Sequence, residues 1–166
     1  TTVVINELMA SNTNTVTDES GAFEDWIELF NTTANDIDLS GYFLTDNPTN
    51  PDKWQFADGT VIPAGGYYII WADEDSSADP TDHCNFKLSK DGEDVLLLNS
   101  SLEIIDQVTF GAQESDMSYS RSPNGTGDFI IKTATFNANN DGITGTDSEW
   151  LQTLKIYPNP ANDGFF

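Results

Sequence analysis

The apolar residues of this chain come in short runs cut by turn formers, and no other feature limits the fold as much. The runs are VVINELM (3–9), DWIELF (25–30), IDLSGYFLTD (37–46), KWQFADGTVI (53–62), YYIIWA (67–72), DVLLLN (94–99), EIIDQVTF (103–110), SYSR (118–121) and DFIIKT (128–133). Asp, Asn, Gly, Ser and Pro separate them, the residues that turns favour. Val, Ile and aromatic side chains recur in the runs and suit a pleated, half-buried surface. No window of ~10 residues keeps an apolar period of 3.6, so no amphipathic helix is expected. The strands read as half-buried and alternating, unlike the continuously apolar strands of a parallel sheet. Short strands with frequent turns predict an all-β fold, a β-sandwich of about eight or nine strands.

A chain of 166 residues is long enough to bury a core without disulfides. Ten Phe, four Trp and five Tyr supply large core side chains. Cys84 is the single cysteine, which excludes an internal disulfide. Charge is the strongest compositional signal: 28 acidic residues face six basic ones, a formal net charge of -22. Phosphate binding draws on Lys and Arg, so no nucleic acid partner is expected. Anionic membrane surfaces are disfavoured too. No window is apolar for the ~18 residues of a membrane-spanning helix, so no membrane insertion is expected. Self-repulsion of this size is eased by salt and divalent cations, which suits a saline or calcium-containing exterior. The plain alternative is charge kept for solubility.

After Phe136 the composition changes. NANNDGITGTDSE (137–149) is polar and nearly free of large apolar side chains, and 137–153 reads as a polar linker. LKIYPNPANDGFF (154–166) ends abruptly on Gly-Phe-Phe. That ending gives the expectation that more sequence follows, within a larger multidomain protein. No signal peptide is visible at Thr1; a mature secreted form and an excised domain both fit.

The ordered series INELM (5–9), DWIELFN (25–31), IDLSGYFLTD (37–46), FADGTVIPAGGY (56–67), YIIWADED (68–75), FKLSKDGEDVLLLN (86–99), IIDQVTFG (104–111) and SRSPNG (120–125) resembles the bacterial lamin tail domain. The resemblance implies an immunoglobulin-like β-sandwich over 1–136. It departs at the end, where the family often carries Thr-Pro-Gly and a later Asn, and this chain has TATFNAN (133–139). Tyr157-Pro158-Asn159-Pro160, after a polar linker, is similar to the opening of a type IX secretion C-terminal sorting domain. Residues 154–166 would then be the truncated start of such a domain. That likeness implies export in a Bacteroidetes-type bacterium and an extracellular or outer cell surface location.

Several residues are candidates for chemistry. Nucleophilic catalysis needs a nucleophile, a base and an orienting group in reach. His83, the single histidine, adjoins Cys84, and adjacent side chains of an extended segment point to opposite faces. A dyad between them is geometrically poor, and the pair reads as a loop histidine beside a half-buried cysteine. Two N/S ligands cannot complete a zinc site. Glycoside hydrolysis needs two carboxyls ~5–9.5 Å apart across a cleft. Glu7 and Glu28 become neighbours if 3–9 pairs with 25–31, but a sandwich face offers no obvious cleft. In DWIELF, Ile27 and Leu29 share one face, and Trp26, Glu28 and Phe30 the other. Glu28 is expected to accept hydrogen bonds from backbone or a hydroxyl, or to lie at a sheet edge. Glu24 and Asp25 are expected to face water.

Calcium wants roughly six to eight oxygen ligands, several of them loop carboxylates. DEDSSADPTD (73–82) has the best composition, with Asp73, Asp75, Asp79 and Asp82 as candidate ligands. DNPTNPD (46–52) also qualifies. NANNDG (137–142) has the early spacing of a calcium loop, with Asn137, Asn139 and Asp141, but lacks the late Glu. The alternative for all three is a solvated acidic loop. Trp26, Trp54, Trp71 and Trp150 are candidate sugar platforms, although the first three lie in strand runs, where core burial is usual.

The sequence thus predicts a non-catalytic extracellular structural or adhesive accessory module of a secreted or cell-surface bacterial protein. No cofactor is required; calcium is the one candidate. The partner class is a protein or a surface glycan. The alternatives are a calcium- or carbohydrate-binding module and, further off, a glycosidase-type enzyme.

Overall fold

A computed structural model describes residues 2–74 and 82–142. The strands are Val3–Met9 (β1), Asp25–Asn31 (β2), Ile37–Asp38 (β3), Phe43–Thr45 (β4), Trp54–Gln55 (β5), Val61–Ile62 (β6), Tyr67–Ala72 (β7), His83–Cys84 (β8), Glu93–Leu98 (β9), Ile104–Phe110 (β10), Ser118–Ser122 (β11) and Asp128–Lys132 (β12). No helix occurs among the described residues. Every apolar run read from the sequence holds a strand. The count exceeds eight or nine because runs 37–46 and 53–62 are each split by a turn, and because β8 is too short and polar to show as a run.

A six-stranded sheet runs β12-β11-β1-β2-β7-β8, a four-stranded sheet runs β10-β9-β4-β5, and β3 pairs with β6. The pairs are antiparallel except β7 with β8. The two larger sheets share one core. Ile5, Ile27 and Leu29 from the first meet Leu44, Val95 and Leu97 from the second, all fully buried. Each such side chain contributes roughly 1.5–3 kcal/mol on burial. The all-β, immunoglobulin-like sandwich is therefore as expected.

The expected alternation of buried and solvated residues fails in β1, where all seven residues are buried. One cause is a bulge. The β1–β2 register steps from Ile5↔Leu29 to Glu7↔Glu28, leaving Asn6 as the extra residue. A bulge re-aims side chains: Ile5 and Leu8 both enter the core, while Asn6 and Glu7 turn to the outer face of the sheet. The other cause is a strap, residues 133–142, that runs back over this outer face. Met9, Trp26 and Trp71 form a second buried cluster there, with Ala134 and Phe136 against it. The Phe136 ring meets Trp26 edge-on, centroids 5.1 Å apart.

The polar segment read as a linker from Asn137 onward is thus part of the fold as far as Gly142. Asn140 within it is fully buried. The rest of 137–153, and all of 154–166, lie outside the described residues. The β11–β12 hairpin that leads into the strap turns through the cis Ser122–Pro123 peptide. It closes so tightly that a Cβ at Gly127 would lie 1.9 Å from the Ser122 carbonyl oxygen.

Candidate functional site

The two carboxylates that the sequence pairs do come together. Glu7 and Glu28 are direct partners across β1 and β2, and both are fully buried beneath the strap. Glu7 Oε1 accepts from Ser118 Oγ at 2.5 Å, Ser120 Oγ at 3.0 Å and the Thr135 N–H at 3.0 Å. Its Oε2 accepts from the Phe136 N–H at 3.1 Å. Glu28 Oε1 accepts from Asn6 Nδ2 at 2.8 Å, and Oε2 from the Asn137 N–H at 2.6 Å. The Thr135 hydroxyl lies 2.8 Å from both Glu7 Oε2 and Asn140 Oδ1, so its one proton serves two acceptors.

Asn140 forms the second tie. Its Nδ2 donates to the Asn6 and Arg121 carbonyls, both at 3.0 Å, and Lys132 Nζ donates to its carbonyl. Asn124 Oδ1 accepts from Asn6 Nδ2 and from the Asn140 N–H, each at 3.0 Å. Buried polar groups are tolerable only when paired, and here the pairing is between strands and strap.

Burial pushes the Glu28 carboxyl up to about 8, opposed by the Asn6 donor and reinforced by the charge on Glu7. Two adjacent buried carboxylates cannot both ionise cheaply, so Glu28 keeps its proton at neutral pH. A protonated carboxyl beside a second carboxyl is also what a glycosidase needs. In this fold, however, the strap lies between the pair and solvent, and neither side chain reaches a cleft.

Asp25 departs from expectation. It is half-buried, accepts the Asn12 N–H at 3.1 Å, and is pushed up to about 6 by burial. The loop after β1 folds across it, which the local sequence does not reveal. His83 is likewise no loop residue. It sits in β8, buried, its Nδ1 2.6 Å from Asp73 Oδ2 and its Nε2 2.7 Å from Glu19 Oε1. Each ring nitrogen thus lies within hydrogen-bond distance of a carboxylate oxygen. Burial alone would lower this group; the bonds to Asp73 and Glu19 outweigh it and hold it above its ordinary value. Cys84 is fully buried rather than half-buried, with Sγ directed at the Phe86 carbonyl 3.4 Å away. Burial pushes its thiol up. The pair forms no dyad, as its extended spacing implies.

Of the candidate calcium ligands, Asp73 is committed to His83. Asp82 is half-buried and its carbonyl accepts the Trp71 N–H at 2.7 Å. Asp75 and Asp79 lie outside the described residues. Among the described residues no group of three or more His, Cys, Asp or Glu is arranged to hold a metal. Asp46 of the second acidic loop pairs with Lys53 at 2.7 Å. In 137–142, Asn139 Oδ1 accepts the Asp141 N–H and Asp141 Oδ2 accepts the Asn124 N–H, so these side chains face their own chain. Trp26, Trp54 and Trp71 are core residues, and Trp150 lies outside the described residues.

Asn6, Ser118, Ser120, Asn124, Thr135 and Asn140 are members of the site that sequence reading did not single out. Two of the signals were visible. Asn6-Glu7 interrupts an otherwise apolar strand, and Ser118 and Ser120 fall on one face of another. Nothing local marks Asn140.

The Lamin Tail Domain family model matches residues 1–112. The matched span includes Glu7 and Glu28, while β11, β12 and the strap lie beyond it. No curated protein matches the chain.

Proposed function

The chain belongs to the lamin tail domain family, and from that premise we propose that it is a non-catalytic structural or adhesive module, carried outside the cell as an accessory part of a secreted or surface-attached bacterial protein. One observation carries the non-catalytic half: the carboxylates with the most catalytic surroundings, Glu7 and Glu28, are covered and spend their oxygens on the strap. The net charge of -22 supports the exterior location, because salt screens self-repulsion. The likeness of residues 154–166 to a type IX sorting domain supports it as well.

Antibody labelling of intact cells of the source bacterium, beside assays of the purified chain on polysaccharides, tests both halves. Surface labelling and no turnover are expected. Labelling only after permeabilisation overturns the location. Turnover that disappears in Glu28→Gln overturns the non-catalytic role.

A further inference from the structure

Edge strands present unpaired N–H and C=O groups, and proteins blunt them by shortness, bulges, proline or charge. Most sheet ends here carry such a guard. β5 and β8 are two residues long, as are β3 and β6, and β10 is bulged between Ile104 and Asp106. β12 is different. Among the described residues it ends the six-stranded sheet, and it pairs with β11 in unbroken register from Ser118↔Lys132 to Ser122↔Asp128. At its middle, Ile130 and Ile131 are 46% and 44% exposed.

We propose that β12 pairs antiparallel with β12 of a second copy, about a two-fold axis through Ile130. The strand reads Asp128-Phe129-Ile130-Ile131-Lys132, which has complementary charges at its ends and apolar residues between. In this register Asp128 faces Lys132 of the second copy at each end, Phe129 faces Ile131, and Ile130 faces itself. Directly opposite pairs of this kind stabilise a sheet. A slip of one or two residues sets Asp128 or Lys132 against an uncharged residue, so the charges select the register. Lys132 already donates to the Asn140 carbonyl, and its ammonium has further protons for an aspartate. The contact uses one patch twice and closes at two copies. Each copy carries -22 charges, so association grows as salt screens the repulsion.

Sedimentation of the full chain at low and high salt, up to ~1 mM protein, tests this, since a short strand pair supports only weak affinity. A mass that doubles with concentration, more readily at high salt, is expected. Ile130→Lys sets a lysine against itself, and Asp128→Lys sets one against Lys132 at both ends. Each is expected to weaken association at least tenfold while circular dichroism and melting stay as in the parent chain. Asp128 is exposed, so its variant decides the matter if Ile130→Lys misfolds. A chain that remains monomeric at all concentrations and both salts overturns the proposal. So does a dimer that survives the charge reversal.

Discussion

Glu7 and Glu28 stand opposite each other across the β1–β2 ladder, fully buried, and their oxygens receive the backbone N–H groups of Thr135, Phe136 and Asn137. A pair that resembles an acid–base couple is thus the anchor of a strap. Burying a charge is costly unless hydrogen bonds replace its water. The fold meets that condition by surrounding Glu7 with donors and leaving Glu28 protonated.

Glu28→Ala strands one of the two Asn6 Nδ2 hydrogens and the Asn137 N–H, which both bond to this carboxyl. Each unmet buried donor costs about 1–3 kcal/mol. Urea unfolding at pH 6 is expected to show a loss of about 2–4 kcal/mol, with Glu28→Gln losing less because it retains one acceptor.

Phe136 covers Trp26 and Trp71, at centroid distances of 5.1 and 5.7 Å. Phe136→Ala opens that cluster. A loss of about 2 kcal/mol is expected, below the usual figure for a core Phe because this ring is half-buried. Tryptophan emission is expected to shift to the red.

Gly127→Ala forces a Cβ against the Ser122 carbonyl, where the neighbouring atom is backbone and cannot swing away. A loss above about 2 kcal/mol is expected. Gly111→Ala meets nothing within 4 Å and is expected to change stability by less than ~0.5 kcal/mol. Melting temperatures of the two variants check the contrast.

Arg121 joins β11 to its surroundings through Nε to the Ile5 carbonyl at 2.8 Å, Nη1 to the Gly127 carbonyl at 3.1 Å and Nη2 to Asp106 at 2.9 Å. Lysine cannot reproduce this planar fork. Arg121→Lys is expected to cost about 1–3 kcal/mol, read by urea unfolding.

Much of the fold was legible because strand periodicity is local. The two faces of DWIELF came out as read, with Ile27 and Leu29 in the main core and Trp26 in the second cluster. Four features were not legible because they depend on distant residues. β8 exists through its pairing with β7, Trp71↔His83. The buried setting of His83 depends on Glu19, 64 positions away. Asp25 is covered by a loop whose path the local sequence does not set. The strap was not legible because its anchors are polar. Asn140 looks like any loop asparagine until the Asn6 and Arg121 carbonyls are seen beside it.

The pH dependence of unfolding in the parent chain and in Glu28→Gln tests the structural role of Glu28 most directly. The folded chain holds this proton up to about pH 8, whereas the ordinary carboxyl value is 4.5. Stability from the retained proton is full below pH 4.5, declines as pH rises, and is gone above about 8. Asp25, raised to about 6, steepens the early part of the fall. Urea unfolding from pH 5 to 9 is therefore expected to show the parent chain losing on the order of a few kcal/mol, with a clearly shallower decline in Glu28→Gln. Parallel curves for the two proteins would contradict the account.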